Sequence, residues 1–160
     1  MNTTVTPISA AQTANPEELI NGLASEARKA QRVLSAMSSE ARAAALKLAA
    51  AQMRADAETI LAENTKDIEA GRANGLSGAM LDRLKLDKDR LEGIASAVEA
   101  VADLPDPVGA VIDTAERPNG LQLSRVRVPI GTIGIIYESR PNVTADAAAL
   151  CVRWHIGSVP

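Results

Sequence analysis

Phenylalanine is missing from this chain, and Tyr137 and Trp154 are its only aromatic residues. The platforms on which single-stranded nucleic acid stacks are therefore lacking. A formal net charge of -3 offers no overall basic field for a polyanionic strand either. The single cysteine, Cys151, excludes an intrachain disulfide. Cys151 and His155, the one histidine, stand four apart, but they are two ligands where a structural zinc site takes four. No apolar run approaches the roughly 20 residues needed to cross a bilayer. The opening MNTTVTPISAAQTANPEE has no basic segment followed by an apolar one, as a secretory signal would. The expectation is a cytoplasmic protein that binds neither membrane, nucleic acid nor metal.

What is present suits a folded domain. The chain has 160 residues, 46% of them hydrophobic and 23% charged, enough to bury a core. Residues 1–14 are rich in Thr, Ser and Ala without apolar period and read as a flexible leader. Asn15 then caps a helix that starts at Pro16, with Glu17 and Glu18 at the positive end of its dipole, and runs to about Met37. Ser38 starts a second helix. Leu46, Ala50, Met53, Ile60, Leu61 and Ile68 recur at helical spacing along it, which predicts one long amphipathic helix ending at Asn74-Gly75. Its charged residues read as a solvated face. Ser77 caps a short helix, and Asp87 opens another that Pro105 and Pro107 terminate. Residues 15–107 are therefore a helical region.

From Val108 the period changes to two. VGAVIDTAE and GLQLSRVRV flank RPNG, which predicts a β-hairpin over 108–128 with a turn at Asn119-Gly120. Leu121, Leu123, Val126 and Val128 do not share one parity, so the second limb requires a bulge near Ser124-Arg125 or contacts on both faces. PIGTIGIIYES follows as a glycine-punctuated strand of the type buried on both faces, and an α/β layer begins there, over 129–153. Gly131 and Gly134 fail the dinucleotide fingerprint and read as close-packing positions.

Asn142 has two readings. It can cap the helix of VTADAAAL, shared with Thr144, or its side-chain amide can donate to a developing oxyanion at the edge of a parallel strand. Arg140 in the same turn is either a surface charge or a partner for a carboxylate or phosphate. Cys151 reads as an inert core thiol, and His155 is given no role. No general nucleophile, phosphate-loop or zinc-protease motif occurs.

Two long blocks carry more information than any of these patterns. RANGLSGAMLDRLKLDKDRLEGIASAVEAVADLPDPVGAVID and RVRVPIGTIGIIYESRPNVTADAAALC resemble the N-terminal part of γ-glutamyl phosphate reductases, also called glutamate-5-semialdehyde dehydrogenases. The resemblance extends more loosely from about Glu18 to Arg153. It implies an α/β fold of the aldehyde dehydrogenase superfamily, of which this chain would hold a helical region, an oligomerisation-type hairpin and the start of a Rossmann-like NADP-binding domain. The implied activity is NADPH-dependent reduction of γ-glutamyl phosphate to glutamate 5-semialdehyde and phosphate in proline biosynthesis, by an enzyme that forms a homo-oligomer. A cysteine thiolate would attack the acyl phosphate. By the same resemblance Asn142 is the oxyanion donor, and Tyr137, Glu138, Ser139, Arg140 and Pro141 border the nicotinamide end of NADP. Cys151 matches a helix position, so the nucleophile would lie beyond Pro160. Residues 154–160, WHIGSVP, match neither the strand nor the cofactor loop expected there and are set apart as a divergent tail of a truncated chain. The alternative is a non-catalytic helical module that pairs through its hairpin edge.

Overall fold

The computed structural model describes residues 15–137, 140–154 and 157–159. Five helices come first: α1 (Pro16–Ala36), α2 (Ser39–Ala55), α3 (Ala57–Ala73), α4 (Gly78–Leu84) and α5 (Lys88–Ala102). Their starts follow from side-chain caps. Asn15 accepts from the Glu17 N–H at 3.1 Å, Ser38 from Ala41 at 3.1 Å, and Asp87 from Arg90 at 2.9 Å. Each cap satisfies a donor that the first helical turn leaves without an intrahelical partner.

The single long helix expected after Ser38 is two helices. Asp56 sits between them at φ -93° and ψ 11°, although the Asp56 N–H still donates to Gln52 O and the Ile60 N–H to Asp56 O. The hydrogen-bond run continues while the helical backbone is interrupted at Asp56, and the two halves pack against different neighbours. α2 lies on α5 and α6, whereas α3 lies chiefly on α4. Local periodicity cannot register that change of partner. α3 ends in a Schellman motif as its Asn-Gly pair implies: Gly75 takes φ 77°, its N–H reaches Arg72 O, and the Leu76 N–H reaches Gly71 O.

The core is built almost entirely from small and aliphatic residues. Leu46 and Ala50 of α2, Ala95, Val98 and Ala102 of α5, and Ala149 of the last helix, α6 (Pro141–Arg153), form one buried cluster. Ala50 and Ala95 are 0% exposed. Alanine at facing positions lets helix backbones approach closely, which is how a core without aromatic rings excludes water. Charged groups tie the same helices together at their edges. The Arg54 guanidinium of α2 grips two carboxylates of α5, Glu92 at 2.7 Å and Glu99 at 2.6 Å. The fork holds the Glu92 carboxyl down at about 2, through the Arg54 and then the Ser96 hydrogen bonds, and lowers Glu99 as well. Arg42, 1% exposed, pairs with Asp106 and donates to Met37 O, joining the α1–α2 corner to the segment after α5. Arg153 is also buried; its Nε donates to Leu104 O at 2.9 Å and its Nη1 to Ser39 Oγ at 2.8 Å, which fastens the end of α6 to the start of α2.

The hairpin is β1 (Val111–Glu116) against β2 (Gln122–Val126), antiparallel. Its turn keeps Arg117 O bonded to the Gly120 N–H at 2.8 Å and places Gly120 at φ 82°, where a side chain would be strained. The irregularity falls on the first strand, opposite Arg125 and Val126, and not in the second limb, whose apolar pattern had called for a bulge near Ser124-Arg125 or contacts on both faces. Val111 and Asp113 pair with the consecutive residues Val126 and Arg125, so Ile112 is the extra residue. Every residue of both strands is exposed, so no buried face fixes the parity of the apolar residues.

The strand expected to be buried on both faces is short and open. β3 (Thr132–Gly134) is at most half-buried, and Ile130 and Ile136 beside it are exposed. Its one neighbour among the described residues is β4 (Gly157–Val159), which lies parallel to it with Ile133 opposite Ser158. Residues 157–159 therefore take part in a strand, whereas the sequence had suggested a tail without one. Parallel neighbours need a crossover, and α6, about 20 Å long, supplies it, giving a β3-α6-β4 unit. His155, Ile156 and Pro160 lie outside the described residues.

Candidate functional site

The start of α6 faces a cavity of about 500 Å³ whose far wall is α4, the segment after it and one side of α5. Pro141 is the first helical residue and Arg140 the flanking one, with φ -139° and ψ 87°. Proline holds its own φ at a helical value and pushes the residue before it into extended backbone, so the RP pair sets the sharp entry into the helix. No side chain among the described residues caps the first turn of α6. Asn142 is thus not a cap. It lies inside the first turn, already helical, and its Nδ2 donates to Asp146 Oδ2 one turn along at 3.2 Å. A carboxylate can only accept, so Asp146 also fixes which end of the amide is the donor. The second Nδ2 proton has no partner among the described residues.

Arg140, Pro141, Asn142 and Asp146 all line the cavity. Tyr137 does not line it; its hydroxyl lies 2.8 Å from Thr144 Oγ1 and links the segment after β3 to the second turn of α6. Glu138 and Ser139 lie outside the described residues. Cys151 is buried in α6 and is not part of the cavity wall.

The opposite wall brings in residues to which sequence reading had given no role: Asp82, Arg83, Lys85 and Arg90. Arg90 is used internally, donating to Lys85 O at 2.9 Å and to Asp82 Oδ1 at 2.9 Å. The segment carrying Lys85 is held from behind by buried Asn64, whose Nδ2 donates to Leu84 O at 2.9 Å and whose Oδ1 accepts from the Leu86 N–H at 2.7 Å. Among the described residues no hydrogen bond or ion pair occupies the side chains of Arg83, Lys85 or Arg140. Nothing in local spacing separates these cations from other helix-surface charges. Only the fold of α4 and α5 back onto α6 brings them to one opening. No group of His, Cys, Asp and Glu among the described residues is arranged to hold a metal ion, and no helix among them is long and apolar enough to cross a membrane.

No protein-family model matches the sequence. Individual proteins do. The γ-glutamyl phosphate reductase of Novosphingobium aromaticivorans is 61% identical over 136 residues, which cover 85% of this chain and 32% of that protein. The γ-glutamyl phosphate reductase of Sphingopyxis alaskensis is 75% identical over 87 residues, covering 54% of this chain and 20% of its own length. The crystal structure of the γ-glutamyl phosphate reductase of Thermotoga maritima superposes with a TM-score of 0.82 at 39% identity, over 87% of this chain and 34% of that one. The chain spans about a third of the length of the curated relatives it matches over most of its residues. The α/β fold expected from the two sequence blocks is the fold found, and over most of its length this chain is homologous to γ-glutamyl phosphate reductases.

Proposed function

We propose that the chain supplies one wall of the active site of an NADPH-dependent reductase that converts γ-glutamyl phosphate to glutamate 5-semialdehyde and phosphate. The observation that carries this is Asn142: its amide is oriented by Asp146 at 3.2 Å and stands at a cationic cavity, in a chain homologous to proteins named for that reduction. Attack on the acyl carbon of such a substrate drives negative charge onto its carbonyl oxygen. An amide N–H held in place before the reaction stabilises that charge without having to reorganise. Asp146 fixes the orientation of the Asn142 amide, and Pro141 fixes the backbone from which it projects.

NADPH supplies the hydride in this reading. A helix start beside Arg140 with no side-chain cap among the described residues suits a polyanionic cofactor, and Tyr137, Glu138, Ser139, Arg140 and Pro141 are the residues we assign to its nicotinamide end. The attacking thiolate belongs to a segment that this chain does not contain, since Cys151 is buried away from the cavity. We place the protein in the cytoplasm, as a component of a homo-oligomer.

The test is complementation. The chain is mixed with the separately produced remainder of the Novosphingobium relative, and hydride transfer is followed by loss of NADPH absorbance. Restored turnover supports the reading, and Asn142→Ala should then lower it by roughly 10²–10³-fold with NADPH affinity little changed. An unchanged rate per assembled complex would remove Asn142 from the site. The fully exposed hairpin favours a second reading, a module that binds another chain by strand addition and catalyses nothing. Tight association of the two pieces without turnover would select it.

A further inference from the structure

We infer that the cavity at the start of α6 is a phosphate-binding site whose cationic ligands are Arg83, Lys85 and Arg140. This rests on the reading above, in which the substrate carries an acyl phosphate, and adds to it the residues that take the phosphate group. Among the described residues, six charged side chains line the cavity. Arg90 and Asp82 neutralise each other at 2.9 Å. Asp146 is engaged by Asn142. Among the described residues, the three remaining cations against the one remaining carboxylate leave a local excess of two positive charges, in a chain whose formal net charge is -3.

That excess matches a phosphate monoester, which carries about -1.5 to -2 near neutral pH, better than it matches a single carboxylate. The guanidinium groups of Arg83 and Arg140 offer planar pairs of donors suited to phosphate oxygens, and the first-turn N–H groups of α6 add partial positive charge at the same opening. The site is preorganised on both sides. Buried Asn64 holds the backbone on either side of Lys85, and Pro141 fixes the backbone beside Arg140. Arg83, Lys85 and Arg140 are themselves exposed, so removing them does not open a hole in the core.

Calorimetric titration of inorganic phosphate into the 160-residue chain at low ionic strength tests this directly. One saturable site is expected. The double variant Arg83→Ala/Lys85→Ala and the single variant Arg140→Ala should each weaken it by about tenfold or more, the loss of a charge-assisted hydrogen bond. Lys29→Ala, a remote exposed charge paired with Glu26, should change it by less than about twofold. Helical circular dichroism of each variant checks that the fold is retained. No saturable binding, or equal weakening by Lys29→Ala, overturns the site. Competition distinguishes the source of the phosphate. Displacement by NADPH but not by NADH would assign the site to the cofactor's 2′-phosphate, and displacement by neither would assign it to the substrate; both keep a phosphate site. Displacement by glutamate as effective as phosphate overturns it in favour of a carboxylate site. Because complementation reads turnover and this titration reads binding, either result can fail without the other.

Discussion

The helical body and the hairpin are built from comparably apolar sequence yet reach opposite ends of the burial scale. In the body, Leu46, Ala50, Ala95, Val98 and Ala149 are sealed from water by three helices that cover one another. In the hairpin, Val111, Ile112, Leu121, Leu123 and Val126 are exposed, and among the described strands the two pair only with each other. An amphipathic helix finds covering partners within this chain, while a two-stranded ribbon has two edges and two faces to cover and finds none among the described residues. The difference teaches that apolar patterning measures what a segment would gain by burial, not whether this chain provides it.

The most direct way to break that comparison is to shorten one apolar side chain in each region. Leu46→Ala should cost about 3 kcal/mol of global stability, through lost transfer energy and the cavity left among close-packed helices. Leu123→Ala should cost less than about 0.5 kcal/mol. Urea unfolding of the two variants reads both, and similar costs would mean that the hairpin is covered in solution. Next in size is Asp106→Asn, which leaves the 1%-exposed Arg42 guanidinium without its carboxylate; a loss of about 2 kcal/mol is expected in the same assay.

A smaller effect separates the surface of the body from its interior. Glu92, at about 2, and Glu99 are lowered by the Arg54 fork, so each contributes stability above its unfolded value near 4.5 and loses it as the pH falls. Unfolding midpoints measured from pH about 5 down to about 2 should therefore decline, more gently in Arg54→Gln and in high salt, since the pair is exposed and screened. An identical decline in wild type and Arg54→Gln would remove the fork from the account. The smallest effect on the body comes from the hairpin turn. Gly120→Ala strains a position at φ 82°, by about 1 kcal/mol. That cost should appear as faster hydrogen exchange in β1 and β2 with the melting of α2, α5 and α6 unmoved.

Most helix starts were legible because a cap is a local event: Asn15, Ser38, Ser77 and Asp87 each bond a backbone N–H within three residues. The same logic misplaced Asn142. Pro141 had already committed the backbone to helix one residue earlier, which moved Asn142 inside the turn and freed its amide for Asp146. The interruption at Asp56 and the bulge at Ile112 were not legible, since each depends on which neighbour, or how little of one, the segment packs against.

The sequence by itself determined the succession of helices and hairpin, the placement of the turns at Gly75 and Gly120, and the kinship carried by its two long blocks. It determined these because caps, positive φ and apolar period act over a few residues. Only the tertiary structure decided that Arg83 and Lys85 of the α4 segment face Arg140 and Asn142 across one cavity, and that residues 157–159 lie parallel to β3. Those relations join residues far apart in the chain, and they exist only once α4 and α5 have folded back against α6 and the small side chains between α2, α5 and α6 have allowed the backbones to close.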